Sequence, residues 1–244
     1  MHWNERSILL LGESKIEKLQ QSHVLVAGLG GVGAYVAELL CRAGVGKLSI
    51  VDADVVNVSN LNRQLLALHS SIGKPKALLM KQRLLDINPN VEIYVSEVFL
   101  KDEIIDDVLA LDYDFVADAI DTLSPKINFI KTCIQNQIPL VSSMGAGGKT
   151  DPSKVKIDDI SKSYNCNLAR ILRKRLHRVG IRHGFNVVFS SEKTDKSAVI
   201  EEESLNKKSN VGTISYMPAV FGCFMAAEII GQLTAETEQL QAIF

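Results

Sequence analysis

The chain has 244 residues, of which 46% are hydrophobic and 23% are charged, and its formal net charge is -1 at pH 7. This length allows one large α/β domain or two small ones, and the composition is that of an ordinary globular protein. Because the net charge is close to zero, overall charge cannot attract nucleic acid or membranes, and an anionic partner would need a local basic patch.

The amino-terminal residues Met1 to Arg6 lack the basic and then apolar order of a signal peptide, which predicts a reducing, cytoplasmic location. The four cysteines form no C-x-x-C pair, so neither structural zinc nor a disulfide framework is expected. We predict that all four are small buried residues: Cys41, Cys133, Cys166 and Cys223.

Residues 209–227 carry no charge and resemble a membrane span in composition. Pro218 and several small polar residues interrupt the apolar run, and Glu228 follows it. Since a span needs about 20 predominantly apolar residues, we expect a buried terminal helix and no membrane association.

Strands and helices alternate along the first 145 residues, which predicts a doubly wound, Rossmann-like, mainly parallel sheet. The predicted strands are 23–27, 47–51, 91–95, 115–120 and 138–141, and the predicted helices are 34–42, 76–87, 103–109 and 125–136.

This alternation ends after residue 145. Residues 155–157 and 185–189 are predicted strands that extend the same sheet, partly antiparallel, and the polar stretch 191–209 is predicted to be a mobile loop. The expected organisation is a single domain, with a helical arm at 1–22, a nucleotide-binding core at 23–145 and a sheet extension at 146–244 that contains a basic helix and a buried terminal helix.

A glycine-rich turn links the first strand of the core to its first helix. Gly28, Gly30 and Gly33 have G-x-G-x-x-G spacing, with Gly31 inside the turn. Such glycines let the backbone approach a phosphate at the helix N-terminus. Asp52 ends the second strand, where a ribose-binding acid is expected. The motif indicates a nucleotide and does not select which one.

Two interpretations are open at this point, an enzyme that uses a nicotinamide or flavin and one that uses ATP. The polar stretch from Asp52 to Gln64, which includes Asp54, is followed by Lys76 and later by Asp121. An enzyme of hydride transfer breaks no phosphate bond and has little need of these charged and polar residues. Because splitting ATP needs cations over the phosphates and a carboxylate for Mg²⁺, these residues favour ATP.

The same residues resemble the ubiquitin-activating-like adenylating enzymes, over about residues 4–145. The resemblance implies that ATP and Mg²⁺ are bound and that the protein is a homodimer in which Arg6 reaches the partner's ATP site, as an arginine finger does. It implies that Asp52 binds ribose and Asp121 holds Mg²⁺. It implies phosphate contacts from Asn60, Arg63, Gln64 and Lys76, and the residues expected to act in catalysis are Arg6, Arg63, Lys76 and Asp121.

The second half resembles the tRNA threonylcarbamoyladenosine dehydratases, so that nearly the whole chain is covered. The runs that carry this resemblance are 142–152, 158–170, 189–192 and 212–218. It implies cyclisation of the modified adenosine in tRNA, with adenylation of its threonyl carboxylate. Three alternatives stay open: an adenylating enzyme for a sulfur-carrier protein, an NAD-dependent oxidoreductase and a non-catalytic ATP-binding protein. A sulfur-relay partner and a monovalent cation near residues 145–148 also stay open.

A basic segment lies between Lys162 and Arg182 and contains no acid. Apolar residues recur there at helical spacing, which predicts a helix with an apolar and a basic face. A local basic patch is what RNA phosphates require, and a solvated face paired with acids such as 201–203 is the alternative. The candidate RNA-binding residues are Arg170, Arg173, Lys174, Arg175 and Arg178.

Overall fold

The computed structural model describes residues 3–194, 196–201 and 209–235. The helices in this part of the chain are α1 Glu5–Leu11, α2 Glu13–Gln21, α3 Gly33–Ala43, α4 Lys76–Ile87, α5 Glu103–Val108, α6 Leu123–Gln135, α7 Asn167–His177 and α8 Tyr216–Thr234. The strands are β1 His23–Ala27, β2 Lys47–Val51, β3 Glu92–Ser96, β4 Phe115–Asp118, β5 Leu140–Ser143, β6 Val155–Asp159, β7 Asn186–Ser190, β8 Val199–Glu201 and β9 Ser209–Val211.

Seven strands form one sheet in the order β3-β2-β1-β4-β5-β7-β6. All neighbouring pairs are parallel except β6 and β7. The order 3-2-1-4-5 is that of a doubly wound dinucleotide-binding sheet, in which ligands bind at the carboxyl ends of the strands where the order reverses. That point lies between β1 and β4. The predicted fold class is therefore confirmed, including the partly antiparallel extension.

Both faces of the sheet are covered by helices, so the central strands are apolar on both sides. Along β1, Val24 and Val26 belong to one hydrophobic cluster and Leu25 and Ala27 to another. The first cluster packs the sheet against α3, α4 and α8, and the second packs it against α5, α6 and α7. This double burial explains why the strand sequences show no polar alternation.

Two element boundaries differ from the predicted ones for identifiable reasons. The strand predicted to reach residue 120 ends at Asp118, because the Asp118 carboxylate accepts a hydrogen bond from the Ile120 N–H at 3.0 Å and turns the chain. The helix predicted to begin at Pro125 begins at Leu123. Proline is tolerated in a first helical turn, where its missing N–H has no partner to lose.

The prediction of a mobile loop at 191–209 is wrong for part of that stretch. Val199–Glu201 and Ser209–Val211 pair as antiparallel strands, while residues 202–208 lie outside the described part of the chain. The pair packs on the glycine-rich turn after β5, where the Gly148 N–H donates to the Gly212 carbonyl at 2.8 Å. A tertiary contact thus orders residues whose composition indicated disorder.

Helix α8 is long and apolar enough to cross a membrane by length and composition, and a core helix satisfies the same criteria. It packs against α3 and against four strands of the sheet. Met217, Phe221, Met225 and Ile229 are buried at i, i+4 spacing, which supports the predicted buried terminal helix. Cys223 is exposed, so the prediction that all four cysteines are buried is wrong at this position.

Candidate active site

The glycine turn between β1 and α3 is too tightly packed for side chains at two of its positions. Gly28 has a φ of +91°, and a Cβ there would lie 2.9 Å from the Ala119 carbonyl oxygen. A Cβ on Gly33 would lie 1.7 Å from the Gly28 oxygen. At Gly30, by contrast, the nearest atom would be the Gln64 Nε2 at 3.8 Å, and this position is open for a ligand to approach the backbone.

Gly31 has a different neighbour, because a Cβ there would lie 2.9 Å from the Cβ of Pro218. Pro218 belongs to the first turn of α8, so the carboxyl-terminal helix begins directly beside the glycine turn. The second half of the chain therefore contributes to the surroundings of the candidate nucleotide site.

Asp52 follows β2 and connects that strand to the glycine turn. Its Oδ2 accepts a hydrogen bond from the Leu29 N–H at 2.6 Å, and its Oδ1 accepts one from the Asp54 N–H at 2.8 Å. Burial raises the pKa of Asp52, and the nearby Lys76 ammonium opposes that rise. Each carboxylate oxygen can accept a further hydrogen bond, so ribose hydroxyls fit this acid.

Lys76 is the first residue of α4 and reaches the same region. Its Nζ lies 2.9 Å from the Asp54 Oδ2, but the Lys76 side chain is only 4% exposed whereas that of Asp54 is 69% exposed. An exposed carboxylate exchanges readily with other anions, while the buried ammonium needs an anionic partner. A phosphate group fits that requirement.

Asn60 and Arg63 lie in the loop between β2 and α4. The buried Asn60 accepts a hydrogen bond from the Asn57 N–H at its Oδ1, at 3.0 Å. The Arg63 Nη1 donates to the Ser59 carbonyl at 2.7 Å and to the Asn62 Oδ1 at 3.0 Å. Both residues thus shape the loop itself, and a phosphate contact from Asn60 would come from its amide nitrogen.

Gln64 provides a direct indication that a ligand belongs here. Its Oε1 is buried and has no hydrogen-bond partner among the described residues. An unpaired buried acceptor costs roughly 1–3 kcal/mol. A hydroxyl or amino group of a nucleotide would remove that cost, while the Gln64 Nε2 faces the open side of Gly30.

Asp121 is exposed in the loop between β4 and α6. The neighbouring Ala119 touches the glycine turn, so the loop that carries Asp121 and the turn share one edge of the sheet. Within the described residues, no group of three His, Cys, Asp or Glu side chains could hold a metal ion. The residues present fit Mg²⁺, which binds through one or two carboxylates, water and substrate phosphates.

Arg6 is exposed on α1, a helix with no buried residues. Leu9 and Leu10 of the same helix are 81% and 83% exposed. The described residues of one copy therefore leave an apolar surface uncovered beside this arginine.

The basic helix is α7, which contains four of the five candidate cations and is directly followed by the fifth, Arg178; four of the five are exposed. Ala169, Leu172 and Leu176 form its buried face. Arg173 differs from the others, because it is half-buried and its Nη1 donates to the Ser163 carbonyl at 2.6 Å. Among the described residues, no salt bridge neutralises the exposed cations, which are Arg170, Lys174, Arg175 and Arg178.

Sequence reasoning assigned no role to three buried charges of this region. Asp118 and Lys126 form an ion pair behind the Asp121 loop. Lys149 is 2% exposed and donates to the carbonyl oxygens of Asn165 and Glu192, and burial lowers its pKa. No local pattern marks these residues, since their partners are distant in sequence.

Residues 4–243 match the protein family described as the ThiF family. The chain belongs to the ThiF family. This ThiF-family chain is 38% identical over 250 residues to the tRNA threonylcarbamoyladenosine dehydratase of Bacillus subtilis, covering 98% of the chain and 97% of the relative. It is 36% identical over 135 residues to the sulfur carrier protein ThiS adenylyltransferase of Escherichia coli, covering 54% of the chain and 53% of the relative.

Among solved structures, the chain resembles Escherichia coli tRNA N6-threonylcarbamoyladenosine dehydratase in complex with ATP. The TM-score is 0.87 at 31% identity, covering 96% of this chain and 95% of the other. The resemblance predicted from the sequence is therefore confirmed for the family and the fold.

Proposed function

We propose that this chain uses ATP to cyclise N6-threonylcarbamoyladenosine in tRNA, with net loss of water. The observation that carries this proposal is the similarity to a named dehydratase over 98% of the chain. In support, the carboxylate of Asp52 accepts a hydrogen bond from the glycine turn, and the buried ammonium of Lys76 and the unpaired amide oxygen of Gln64 belong to the same region. We infer that the whole chain acts as one domain, in the cytoplasm.

The proposed reaction has two steps. A threonyl carboxylate oxygen attacks the α-phosphorus of ATP, and the bond to pyrophosphate breaks. A nitrogen of the same modification then attacks the carbonyl of the resulting mixed anhydride, loses its proton, and AMP leaves. Because the second attack is intramolecular, correct placement of the substrate lowers much of its barrier. The protein therefore has to position the substrate and does not have to supply a nucleophile, and no nucleophilic side chain is assigned to this site.

In this proposal each residue binds or stabilises charge. Asp52 accepts the ribose hydroxyls, and Lys76 exchanges Asp54 for a phosphate oxygen. Arg63 and Gln64 contact the phosphates together with the amide of Asn60. Mg²⁺ would supply charge stabilisation on the phosphates, and Asp121 would hold it.

Two exposed surfaces, the basic side of α7 and the apolar side of α1, would bind the remaining partners. The exposed cations of α7 would contact tRNA phosphates. Arg6 would reach the nucleotide site of a second copy, whose surface would also cover Leu9 and Leu10.

Nucleoside analysis after incubation with tRNA tests the function. The purified protein, ATP and Mg²⁺ should convert tRNA that carries threonylcarbamoyladenosine to a species lighter by one water, detected by mass spectrometry. The Asp121→Asn variant should keep its melting temperature and lose the conversion, because it lacks the metal carboxylate. If wild-type protein leaves the modified tRNA unchanged, the proposal is wrong.

A second function has a specific observation in its favour, the similarity of about half of the chain to a sulfur-carrier adenylyltransferase. Pyrophosphate exchange separates the two. It should depend on modified tRNA, whereas exchange that depends only on a small protein ending in Gly-Gly would favour the second function.

A further inference from the structure

A buried ion pair lies at the end of β4, behind the loop that carries Asp121. The Lys126 Nζ and the Asp118 Oδ2 are 2.7 Å apart, and both side chains are 0% exposed. The Ser142 hydroxyl of β5 also donates to the Asp118 Oδ2, at 2.6 Å. Removing two charges from water costs so much that a buried pair is weak evidence for a stabilising role. Its contacts indicate another role.

Both charges bind the backbone of Ile120, the residue that precedes Asp121. The Ile120 N–H donates to the Asp118 Oδ1 at 3.0 Å, and the Lys126 Nζ donates to the Ile120 carbonyl at 3.1 Å. Because neither side chain can move into water without losing its partner, the peptide groups on both sides of the Ile120 Cα are held in place. The backbone leading into Asp121 therefore has one position.

The same loop forms a wall of the glycine turn. The Ala119 N–H donates to the Ala27 carbonyl at 2.9 Å. The Ala119 oxygen lies 2.9 Å from the place of a Cβ on Gly28, and the Ala119 Cβ lies 3.1 Å from that on Gly33. A shift of this loop would change the distance between the phosphate-binding backbone and Asp121.

We propose that Asp118 and Lys126 are positioning residues, which hold the Asp121 carboxylate where a nucleotide-bound divalent cation meets it. This inference rests on the proposed function, in which Asp121 is the metal carboxylate. Neither residue contacts the ligand, since both side chains are completely buried. The pair acts through the backbone N–H and carbonyl of Ile120.

The test is a neutral pair, Asp118→Asn with Lys126→Met, measured by Mn²⁺ binding in the presence of a nonhydrolysable ATP analogue. Mn²⁺ affinity, followed by electron paramagnetic resonance, should fall about 10- to 100-fold, as it does when groups that orient metal ligands are removed. Affinity for the analogue without metal should change less than about threefold, because Asp52 and Lys76 remain. If the pair only stabilised the fold, the affinities for Mn²⁺ and for the analogue would change together.

A matched control removes another ion pair, which joins two helices on one face of the sheet. Glu38 of α3 binds Arg83 of α4, and its side chain is 12% exposed. Glu38→Gln with Arg83→Met should leave Mn²⁺ affinity unchanged. If the neutral Asp118 pair does not fold, Ser142→Ala decides, with an expected loss of about tenfold in Mn²⁺ affinity from a single missing hydrogen bond to a charged group.

The outcomes are distinct. The positioning role is overturned if the folded Asp118 and Lys126 double variant binds Mn²⁺ as the wild type does. If the double variant does not fold, the same result with the folded Ser142→Ala variant overturns it. A wild-type protein that binds no Mn²⁺ with the nucleotide overturns the proposed function, and this inference with it.

Discussion

At the scale of single residues, the site contains an ion pair in which one side chain is buried and the other is exposed to solvent. Lys76 is buried and its partner Asp54 is exposed. Because the Asp54 carboxylate lies largely in water, an anionic ligand can replace it as the partner of the buried ammonium.

The Lys76→Met variant should therefore fold normally and lose pyrophosphate exchange by about 10²–10³-fold, the usual effect of losing one group that stabilises developing charge. Lys74→Met is the matched control, because Lys74 is exposed in the same loop. Exchange rates of both variants are compared with that of the wild type. Equal loss in both would contradict a specific role for Lys76.

His23 lies at the opposite edge of the sheet, beside a cavity of about 630 Å³ lined by Lys47, Tyr94, Tyr113 and Asp114 among others. Its ring contacts Tyr94 and Tyr113, and its Nε2 lies 2.9 Å from the Ser49 hydroxyl. Burial lowers the pKa of His23, against opposing contributions from Asp112, Asp114 and Glu92 and with a smaller lowering contribution from Lys47.

A lowered histidine pKa means that the unfolded chain binds the proton more readily than the folded one. The stability that neutral His23 contributes is therefore present above the unfolded pKa of 6.5 and is lost as pH falls below it. Melting temperatures between about pH 8 and 5 should fall less steeply in His23→Gln than in the wild type. Parallel curves would show that other groups dominate.

At the scale of elements, α7 combines two functions on one helix. Its apolar face joins the core, and Arg173 anchors the turn at residues 160–163. None of the five cations forms a salt bridge within the described residues, but the Arg173 guanidinium is already bound to the Ser163 carbonyl. An RNA contact would therefore come from the exposed cations and not from Arg173, although the sequence pattern treats all five alike.

Replacing Lys174, Arg175 and Arg178 by Ala should weaken tRNA binding and reduce the slope of log affinity against log salt by about 2–3 units, one per lost phosphate contact. The control removes three exposed lysines elsewhere, Lys18, Lys81 and Lys101. Binding is measured across a salt series. If the slope decreases equally in both triple variants, the decrease reflects the loss of positive charge in general. The exposed side of α7 would then be an ordinary solvated face.

At the scale of the whole molecule, the amino-terminal arm has an apolar surface that the described residues of one copy do not cover. Trp3, Leu9 and Leu10 are each at least half exposed. Exposed apolar patches of this kind indicate a protein interface, and a second copy would bring Arg6 to the other nucleotide site.

Mixing Arg6→Ala with Lys76→Ala should then restore activity that neither variant has alone. Random exchange of subunits gives one intact site in each mixed dimer, so about a quarter of the wild-type activity is expected. Light scattering establishes the dimer, and labelled subunits establish exchange. A monomer, or mixed dimers without activity, would contradict the shared site.

Local patterns were sufficient to predict the core of the fold. Apolar strand, glycine turn and helix are contiguous in sequence, and Asp52 follows the next strand, so their assembly needs only the known geometry of a parallel sheet. The second half was less predictable. Strands β8 and β9 pair because they pack on Gly147 and Gly148, which no composition of residues 191–209 reveals.

By itself, the sequence determined the nucleotide-binding edge, because spacing along the chain sets which residues end neighbouring strands. Only the tertiary structure decided which charges are buried and which are exposed. Lys126 and Arg173 are both helical cations in sequence, yet one is 0% exposed against Asp118 and the other is half-buried against Ser163. The reason is physical: the cost of burying a charge depends on partners supplied by other elements, such as Ser142 for Asp118, and these meet only when the sheet forms.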